Sequence, residues 1–400
     1  MIVFSQCRNM ITIFFVFFIL LTSSSLIFVA SPHDTIVYVD DDGGADYARI
    51  QDAINASSEG DMIFVYSGSY DESVIINKSI TLIGENKDTT LIDGGQRSDV
   101  ITIEADNVSL SHFTIQNSNN KVRNGWWKAG IRITSSNVNI EDNIIQNNLL
   151  GIFAKRATNL SIKGNYFFND SLVIYPYGAD YNPRPALKRT HFIHRITNNF
   201  VNDKPLLYIV DESDVLISSD IGQVILINCT NVSVKNMSIS SADFPLLFVF
   251  CRHCSIENVS FFDNEGECTF LDSDENNVCG NRFHNNFHGL LLDYGSEANT
   301  VRGNVFFNNR FCGVICEYFS NNNMFFQNDF VANRAVNAFL INAFKNRWEN
   351  NFWSDWIGLK KPFFQLFPKL IRGTLFEANQ HIPSLFNVDF NPRVEPYHYQ

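Results

Sequence analysis

The chain has 400 residues with a formal net charge of −12, and 45% of its residues are hydrophobic. Nucleic-acid binding depends on clustered Lys and Arg side chains, and no such cluster occurs, so we expect no nucleic-acid partner. Phe is unusually frequent, with 37 copies. This composition favours a protein with a long apolar core and an acidic surface.

The first feature along the chain is an uncharged segment, Met10–Ala30, which follows Arg8. Its 21 mostly apolar residues can form the core of a signal peptide or span a bilayer. Residues 1–33 are therefore predicted to be a signal peptide or an N-terminal membrane anchor. Both alternatives predict an extracytoplasmic protein, secreted or held at the cell surface. Nine Asn-x-Ser/Thr sequons agree with export and are candidate glycosylation sites.

A strand and a short helix are the first elements predicted after this leader. Ile36–Val39 predicts the strand, and Asp40–Asp42 followed by two glycines predicts a turn. The three carboxylates are a candidate calcium site, with a plain turn as the alternative. Tyr47–Ala56 places its apolar residues on one helical face, which predicts a short helix that caps the domain behind it.

A repeat of about 22–24 residues determines the predicted architecture. Each copy has an apolar residue, then Asn or an apolar residue three positions later, then an apolar residue two positions further. The period is too short for two helices and fits one coil of a parallel β-helix. Asn at a coil corner predicts a hydrogen-bonded structural ladder. The ladder residues are Asn143, Asn165, Asn281, Asn304, Asn328 and Asn351.

Two segments interrupt this repeat. Ser118–Lys128 lengthens one interval to 30 residues, and the interval from Ile162 to Val234 is 72 residues. Insertions in repeat proteins form loops that often carry the binding face, and exposed aromatic rings can stack on sugars. The alternative is that these rings cover an edge of the core. The candidate ligand-binding residues are Trp126, Trp127, Tyr175, Tyr177, Tyr181 and Arg184.

The repeat ends at Asn351, and residues 357–400 are rich in aromatic residues and proline. We predict a loop-rich C-terminal cap there and a β-helix domain over residues 34–356. The predicted fold class is all-β, a right-handed parallel β-helix solenoid with a short N-terminal capping helix.

Three stretches carry a resemblance to a known family. Val37–Gly95 resembles the entry coils of pectin-lyase-like proteins, and Asn202–Ile239 is similar to a recurring segment of exported β-helix proteins. Asn351–Trp356 resembles the ending of NosD-type domains. The chain thus resembles the NosD-type right-handed parallel β-helix family over residues 36–356. This resemblance implies the fold and, for the NosD type, a role in periplasmic copper handling.

Cysteine and histidine residues provide the candidate copper site. Seven Cys follow the leader, and this odd number prevents complete intrachain pairing. Thiolate and imidazole ligands suit Cu(I). The alternative is that the Cys side chains are small core residues, with one disulfide at most. The candidate ligands are Cys251, His253, Cys254, His284, His288 and Cys312.

Carboxylates on successive coils keep an enzymatic function open. Glycosidases need two carboxylates that converge on one bond, and the candidates are Asp243, Asp263, Asp272, Asp274 and Asp293. No intact catalytic motif accompanies them, and we assign no catalytic residue and no required cofactor. We therefore expect a cell-surface binding or scaffold protein for carbohydrate or envelope components. A polysaccharide lyase or hydrolase is the first alternative, and a copper-handling accessory protein is the second.

Overall fold

A computed structural model describes residues 35–119, 127–176, 187–356, 368–377 and 380–398. Within these residues the chain forms 40 strands and one α-helix, and nearly all strand pairings are parallel. The predicted right-handed parallel β-helix is confirmed. The predicted leader lies outside the described residues. No described helix has the length and apolar character needed to cross a bilayer.

The capping helix, α1, begins at Ile50 and ends at Ala56. It buries Ile50, Ala53 and Ile54, the apolar face that the sequence predicts. The carboxylate of Glu72, from the next coil, accepts hydrogen bonds from the N–H groups of Ile50 at 2.9 Å and Gln51 at 3.1 Å. Because the first N–H groups of a helix have no partner within it, Glu72 both satisfies them and fixes the helix against the solenoid.

The strands, numbered in chain order, form two successive stacks of coils. The first stack has three parallel sheets. Sheet A contains β1 (Ile36–Val39), β2 (Met62–Val65), β5 (Thr81–Gly84), β8 (Ser109–Ser111), β11 (Asn139–Glu141), β14 (Ser161–Lys163) and β17 (Arg195–Thr197). Sheet B contains β3 (Gly68–Asp71), β6 (Thr90–Asp93), β9 (Thr114–Gln116), β12 (Ile144–Gln146), β15 (Tyr166–Phe168) and β18 (Phe200–Val201). Sheet C contains β4 (Val74–Ile76), β7 (Ile101–Ile103), β10 (Ala129–Ile133), β13 (Leu150–Lys155) and β16 (Leu172–Tyr175).

The second stack repeats this arrangement with its own three sheets. Sheet D contains β19 (Lys204–Val210), β21 (Gln223–Ile227), β24 (Leu246–Val249), β27 (Cys268–Leu271), β30 (His288–Asp293), β33 (Cys312–Glu317), β36 (Val336–Ile341) and β39 (Lys369–Glu377). Sheet E contains β20 (Leu216–Ile217), β22 (Ser233–Lys235), β25 (Ser255–Glu257), β28 (Asn277–Cys279), β31 (Thr300–Arg302), β34 (Met324–Phe326), β37 (Arg347–Glu349) and β40 (Gln380–Asp389). Sheet F contains β23 (Ser238–Ser240), β26 (Ser260–Phe262), β29 (Arg282–His284), β32 (Val305–Phe307), β35 (Asp329–Val331) and β38 (Phe352–Trp353).

The two stacks meet at a junction that we call the elbow, where the outer face of β21, β24 and β27 covers the last coil of the first stack. Strands β18 and β19 pair antiparallel there. Alternate residues of β21 serve two cores: Val224 and Leu226 pack in the second stack, whereas Ile225 and Ile227 pack in the first. Successive strand residues point to opposite faces, so one strand can close both cores. The long interval after Ile162 therefore contains this junction.

The C-terminal segment differs from the loop-rich cap that the sequence predicts. Its described part contains β39 and β40, which pair antiparallel with each other and continue sheets D and E in parallel. The hairpin covers strand edges that would otherwise be open at the end of the stack. Asp389 near its end is fully buried.

Asn ladders run along the coil corners. In the second stack Asn304 donates through its backbone N–H at 3.0 Å and its side-chain Nδ2 at 3.0 Å to Oδ1 of Asn328. Asn281 donates to Asn304 in the same way, and the ladder continues to Asn351 and ends on the carboxylate of Asp389. Asn143 and Asn165 form the equivalent ladder in the first stack.

The Phe residues form stacked columns inside the coils. Phe261, Phe283, Phe306, Phe330 and Trp353 follow one another, with ring centroids 5.1, 4.8, 5.0 and 4.3 Å apart. Because each coil repeats the space of the one before it, the same large ring fits at every level. The rings of this column are therefore core residues, and all of them are buried.

A candidate binding cleft at the elbow

A cleft of about 210 Å³ opens at the elbow. One wall is formed by Trp127 and residues 172–176 of the first stack, and the other by the outer face of sheet D. Its floor is aliphatic, with leucine and isoleucine residues of sheet D that point away from the second core. The floor residues are Leu247, Leu271, Leu291 and Ile315.

Aromatic rings form the rim on the side of the first stack. The half-buried Trp127 ring lies edge-on to Tyr175, with centroids 5.9 Å apart, and to Phe244 at 5.8 Å. Tyr175 also packs against Phe153 at 5.3 Å. Trp127 and Tyr175, predicted from separate interruptions of the repeat, are thus brought together. Their exposed edges face the cleft while the rest of each ring packs on its neighbours.

Polar side chains line the side formed by sheet D. Oε2 of Glu267 lies 3.1 Å from Nδ1 of His288, and both side chains are mostly buried. Asp293 and Glu317 lie further along the strands. Leu271 pairs with Asp293, and Glu267 precedes Leu271 by four residues. Glu267 and Asp293, which lie on neighbouring coils, are therefore about 13 Å apart along the strand direction.

Thr269 lies on the aliphatic floor, between the Glu267–His288 pair and Asp293. It is only 5% exposed, and its Oγ1 has no hydrogen-bond partner. Its register neighbours, Leu247 and Leu291, offer no polar atom from their side chains. A buried hydroxyl without a partner costs about 1–3 kcal/mol. The arrangement can therefore recognise a ligand group that supplies the missing hydrogen bond.

Two buried carboxyl groups lie behind the cleft. Asp243 accepts hydrogen bonds from the N–H groups of Gly151 at 2.7 Å and Ser171 at 2.8 Å, whereas Asp170 accepts from Asn148. Burial raises the pKa of Asp170 to about 7. Burial, followed by the negative charge of Asp170, raises the pKa of Asp243 well above its usual range. These groups join the two stacks and do not line the cleft.

A second pair of rings continues from the cleft along the second stack. Phe287 and Phe311 stack with centroids 5.9 Å apart, and the ring of His288 lies edge-on to Phe311 at 5.3 Å. Phe311 is 47% exposed. Sequence reasoning missed both Phe residues because neither stands in the strongest repeat register. The sequence signal for these two residues is that each Phe stands immediately before a strand of sheet D, and that the two strands lie one coil apart.

The remaining predicted ligand-binding residues, Trp126, Tyr177, Tyr181 and Arg184, lie outside the described residues. Of the predicted carboxylates, Asp293 reaches the cleft, and Asp243 lies behind it. The other three do not enter the cleft: Asp263 lies 2.9 Å from Asn285, and Asp274 pairs with Arg252 at 3.0 Å. Burial raises the pKa of Asp272, whose side chain is also outside the cleft lining.

The candidate copper ligands do not form one cluster. Cys251 and Cys254 are buried, whereas His253 is 58% exposed and pairs with Glu275 at 3.1 Å. His284 stacks on Phe262 at 5.2 Å. Among the described residues, no three His, Cys, Asp or Glu side chains are grouped so that they could hold a metal ion.

The three candidate thiols differ in their acidity. Burial raises the pKa of Cys251, and it raises that of Cys312 to about 12, which favours the neutral thiol over the metal-binding thiolate at both positions. The hydrogen bond with Cys251 lowers the pKa of Cys254. Cys312 lies beside His288 in the strand register. In the Asp40–Asp42 turn, Asp41 accepts from the N–H of Ser69 at 2.9 Å, so at least one candidate calcium ligand serves the fold itself.

Comparison with known proteins agrees with the architecture. The family described as "Right handed beta helix region" matches residues 191–331. The chain therefore has a parallel β-helix fold. The match begins just before the elbow and covers most of the second stack. It does not single out the NosD type, which stays a prediction. No curated protein matches the chain in sequence.

Several solved structures are similar to this β-helix protein. The A-module of the mannuronan C-5 epimerase AlgE6 from Azotobacter vinelandii is 14% identical, with a TM-score of 0.33, over 76% of this chain and 88% of that chain. The catalytic domain of a GH87 α-1,3-glucanase in complex with nigerose is 10% identical, with a TM-score of 0.36, over 80% and 66%. A GH136 lacto-N-biosidase from Eubacterium ramulus is 11% identical, with a TM-score of 0.35, over 78% and 67%.

Proposed function

We propose that the protein binds a carbohydrate in the elbow cleft. The observation that carries this proposal is the unpaired, buried hydroxyl of Thr269, which lines the same cleft as the aromatic rim at Trp127 and the polar pair of Glu267 and His288. Sugar rings have apolar faces and hydroxyl edges. A cleft with aromatic rings on one side and hydrogen-bonding groups on the other matches both.

The first experiment is Thr269→Val, which removes the hydroxyl and keeps the shape of the side chain. Since the hydroxyl has no partner in the free protein, we expect the free energy of unfolding to stay equal or rise by about 1 kcal/mol. Affinity for a saccharide identified on a glycan array is expected to fall. Thr300→Val, at a half-buried position on sheet E, is the matched control and should leave the affinity unchanged.

The two measurements together decide the proposal. A saccharide that binds the wild type and binds Thr269→Val more weakly, without a loss of stability, supports it. If no saccharide on the array binds the wild type, the proposal is wrong. Equal saccharide affinity in both proteins would place the binding site elsewhere.

Hydrolysis of a bound saccharide is the second candidate function. Leu292 pairs with Cys316, so the residues that follow them, Asp293 and Glu317, lie side by side on adjacent strands in the cleft lining. Adjacent strands are about 4.8 Å apart, and retaining glycosidases hold two carboxyl groups about 5–5.5 Å apart. New reducing ends that appear with the wild type and not with Asp293→Asn would establish hydrolysis. Binding without products would contradict it.

We further propose that the protein acts outside the cytoplasm, at the cell surface or secreted. The support is the uncharged segment Met10–Ala30 behind Arg8, which resembles both a signal peptide and an anchor. Fractionation of cells that express the full chain tests this, with a chain lacking residues 10–30 as control. Recovery of the full-length chain in the cytosol with its N-terminus intact would contradict the proposal.

A further inference from the structure

Aromatic rings form a discontinuous strip that leaves the elbow cleft and follows the second stack. The strip is defined by Tyr175, Trp127, Phe244, Phe287 and Phe311. The first three are in successive ring contact at 5.9 and 5.8 Å. The last two form their own stacked pair at 5.9 Å. The strip therefore begins on the first stack and ends on the second.

Gly266 occupies the coil between Phe244 and Phe287. A side chain is impossible there, because a Cβ atom would lie 2.3 Å from the carbonyl oxygen of Asp243 and 3.2 Å from the Phe244 ring. The N–H of Phe287 donates to the carbonyl of Gly266 at 3.2 Å, and the N–H of Phe311 donates to that of Phe287 at 2.8 Å. The backbone positions of the strip thus follow consecutive coils, and the gap at Gly266 is built into the fold.

The length of the strip indicates the size of its ligand. From the coil of Phe244 to that of Phe311 there are three strand spacings, about 14 Å in all. The ring of His288 joins this part of the strip to the cleft, since it lines the cleft and lies edge-on to Phe287 at 4.5 Å and to Phe311 at 5.3 Å. One sugar unit in the cleft cannot reach the far end.

Polar groups accompany the far end of the strip. Arg310, next to Phe311, reaches back over two coils to Glu265, next to Gly266, with Nη1 and Oε2 3.0 Å apart. Both side chains are partly exposed, so they can exchange hydrogen bonds with sugar hydroxyl groups. An exposed ring beside charged hydrogen-bonding groups is suited to a polar ligand with apolar faces. A lipid chain would offer no hydrogen bond to these charged groups.

We infer that the ligand is a linear oligosaccharide that runs from the elbow cleft onto the Phe287–Phe311 pair. This inference rests on the proposed carbohydrate function and adds a second contact region to it. The exposed face of Phe311 provides the outer stacking contact, and Thr269 provides the inner hydrogen bond. Affinity should therefore depend on oligosaccharide length.

The test uses gluco-, chito- and laminari-oligosaccharides of one to six residues, titrated into the full chain and into two variants. The first variant is Phe311→Ala. We expect the six-residue ligand to bind it about 2- to 10-fold more weakly than the wild type, whereas one- and two-residue ligands bind both equally. The control is Phe319→Ala, because Phe319 is even more exposed, at 61%, and lies outside the strip. It should bind every length as the wild type does.

The outcomes separate this inference from the function on which it rests. If saccharides bind, and Thr269→Val weakens them, but six residues bind no more tightly than two, the strip is not a contact region and the cleft function stands. The same conclusion follows if Phe311→Ala and Phe319→Ala bind the six-residue ligand equally. If no saccharide binds at all, both proposals are wrong. Phe311→Trp, which keeps a ring, should retain the wild-type dependence on length.

Discussion

The backbone N–H of Gly151 donates a 2.7 Å hydrogen bond to the side-chain carboxyl group of Asp243, which follows it by 92 residues. The same oxygen accepts from Ser171 at 2.8 Å. Gln223 acts similarly, accepting from the N–H of Leu172 at 3.2 Å and donating to its carbonyl at 2.7 Å. The side chains of Asp243 and Gln223, both from the second stack, thus make hydrogen bonds that a further strand would make at the end of sheet C.

We predict that Asp243→Ala weakens the elbow. It leaves the N–H groups of Gly151 and Ser171 buried without partners, at a cost of about 1–3 kcal/mol each. Urea denaturation should show this as a lower free energy of unfolding. Glu212→Ala, at an exposed position in the same stack, should change it by about 0.5 kcal/mol or less. Equal stability of the two variants would contradict the role given to Asp243.

The carboxyl pair Asp170 and Asp243 predicts a pH dependence of stability. Burial raises the pKa of Asp170 to about 7, and that of Asp243 is raised as well. In the unfolded chain both ionise near pH 4. Between these limits the folded chain holds protons that the unfolded chain has lost, so the free energy of unfolding falls as the pH rises from about 4 to about 7.

The matched variant for this effect is Asp170→Asn, whose amide does not titrate. Its free energy of unfolding should fall less steeply than that of the wild type over the same pH range. Urea denaturation at half-unit intervals from pH 4.5 to pH 8 measures both slopes. Parallel curves would show that Asp170 does not hold its proton in the folded state.

We predict that Asn304→Leu destabilises the second stack. Its side chain accepts from Asn281 and donates to Asn328 and to the carbonyl of Val278, all within the core. Loss of these contacts should cost about 1–3 kcal/mol. Asn277→Leu makes the same chemical change at an outward position of β28 and should cost far less. Thermal melts that show no difference between the two variants would count against the ladder.

Trp127→Ala tests how much the packing of this rim residue contributes to the free energy of unfolding. The ring is half-buried against Phe153, Tyr175 and Phe244, so its removal should cost less than the about 3–5 kcal/mol typical of a buried aromatic residue. Trp348→Ala is the control for that full cost, because Trp348 is only 1% exposed. Saccharide affinity should fall for Trp127→Ala. A stability loss as large as that of Trp348→Ala would make Trp127 a core residue first.

The coils themselves were accessible from the sequence because a solenoid repeats the same contacts at a constant interval. Asn281, Asn304 and Asn328 are spaced by 23 and 24 residues and are indeed hydrogen-bonded in that order. The same spacing marks two further ladders that were overlooked. These run through Asn264, Asn286, Asn309 and Asn333, and through Asn276, Asn299, Asn323 and Asn346.

The elbow could not be predicted from the sequence in the same way. A regular repeat indicates that coils are present, but it does not indicate where one stack ends and another begins. The strand Gln223–Ile227 is buried on both faces and is apolar after Gln223. This apolar run is the available signal, but such a run has several structural explanations. Asp389 was hidden similarly, because nothing in an aromatic-rich tail marks one acid as the end of a ladder.

The candidate site was predicted in pieces. Trp127 and Tyr175 are predicted to bind a sugar, His288 to bind copper and Asp293 to act as a carboxylate of an enzyme, and the elbow brings all four to one cleft. Thr269 was missed because an outward Thr on a strand is ordinary in sequence. Only the apolar neighbours that the elbow places around it leave its hydroxyl without a partner.

The Asn ladder of the second stack has a direction. Each ladder Asn from Asn281 to Asn351 donates to the ladder residue of the next coil, and the last acceptor is Asp389. A carboxylate has no N–H group with which to pass the pattern on. Coils within the ladder are therefore equivalent units, whereas the coil of Asp389 is a terminus. Evolution can lengthen or shorten such a solenoid by duplicating or deleting whole coils, without redesigning either end.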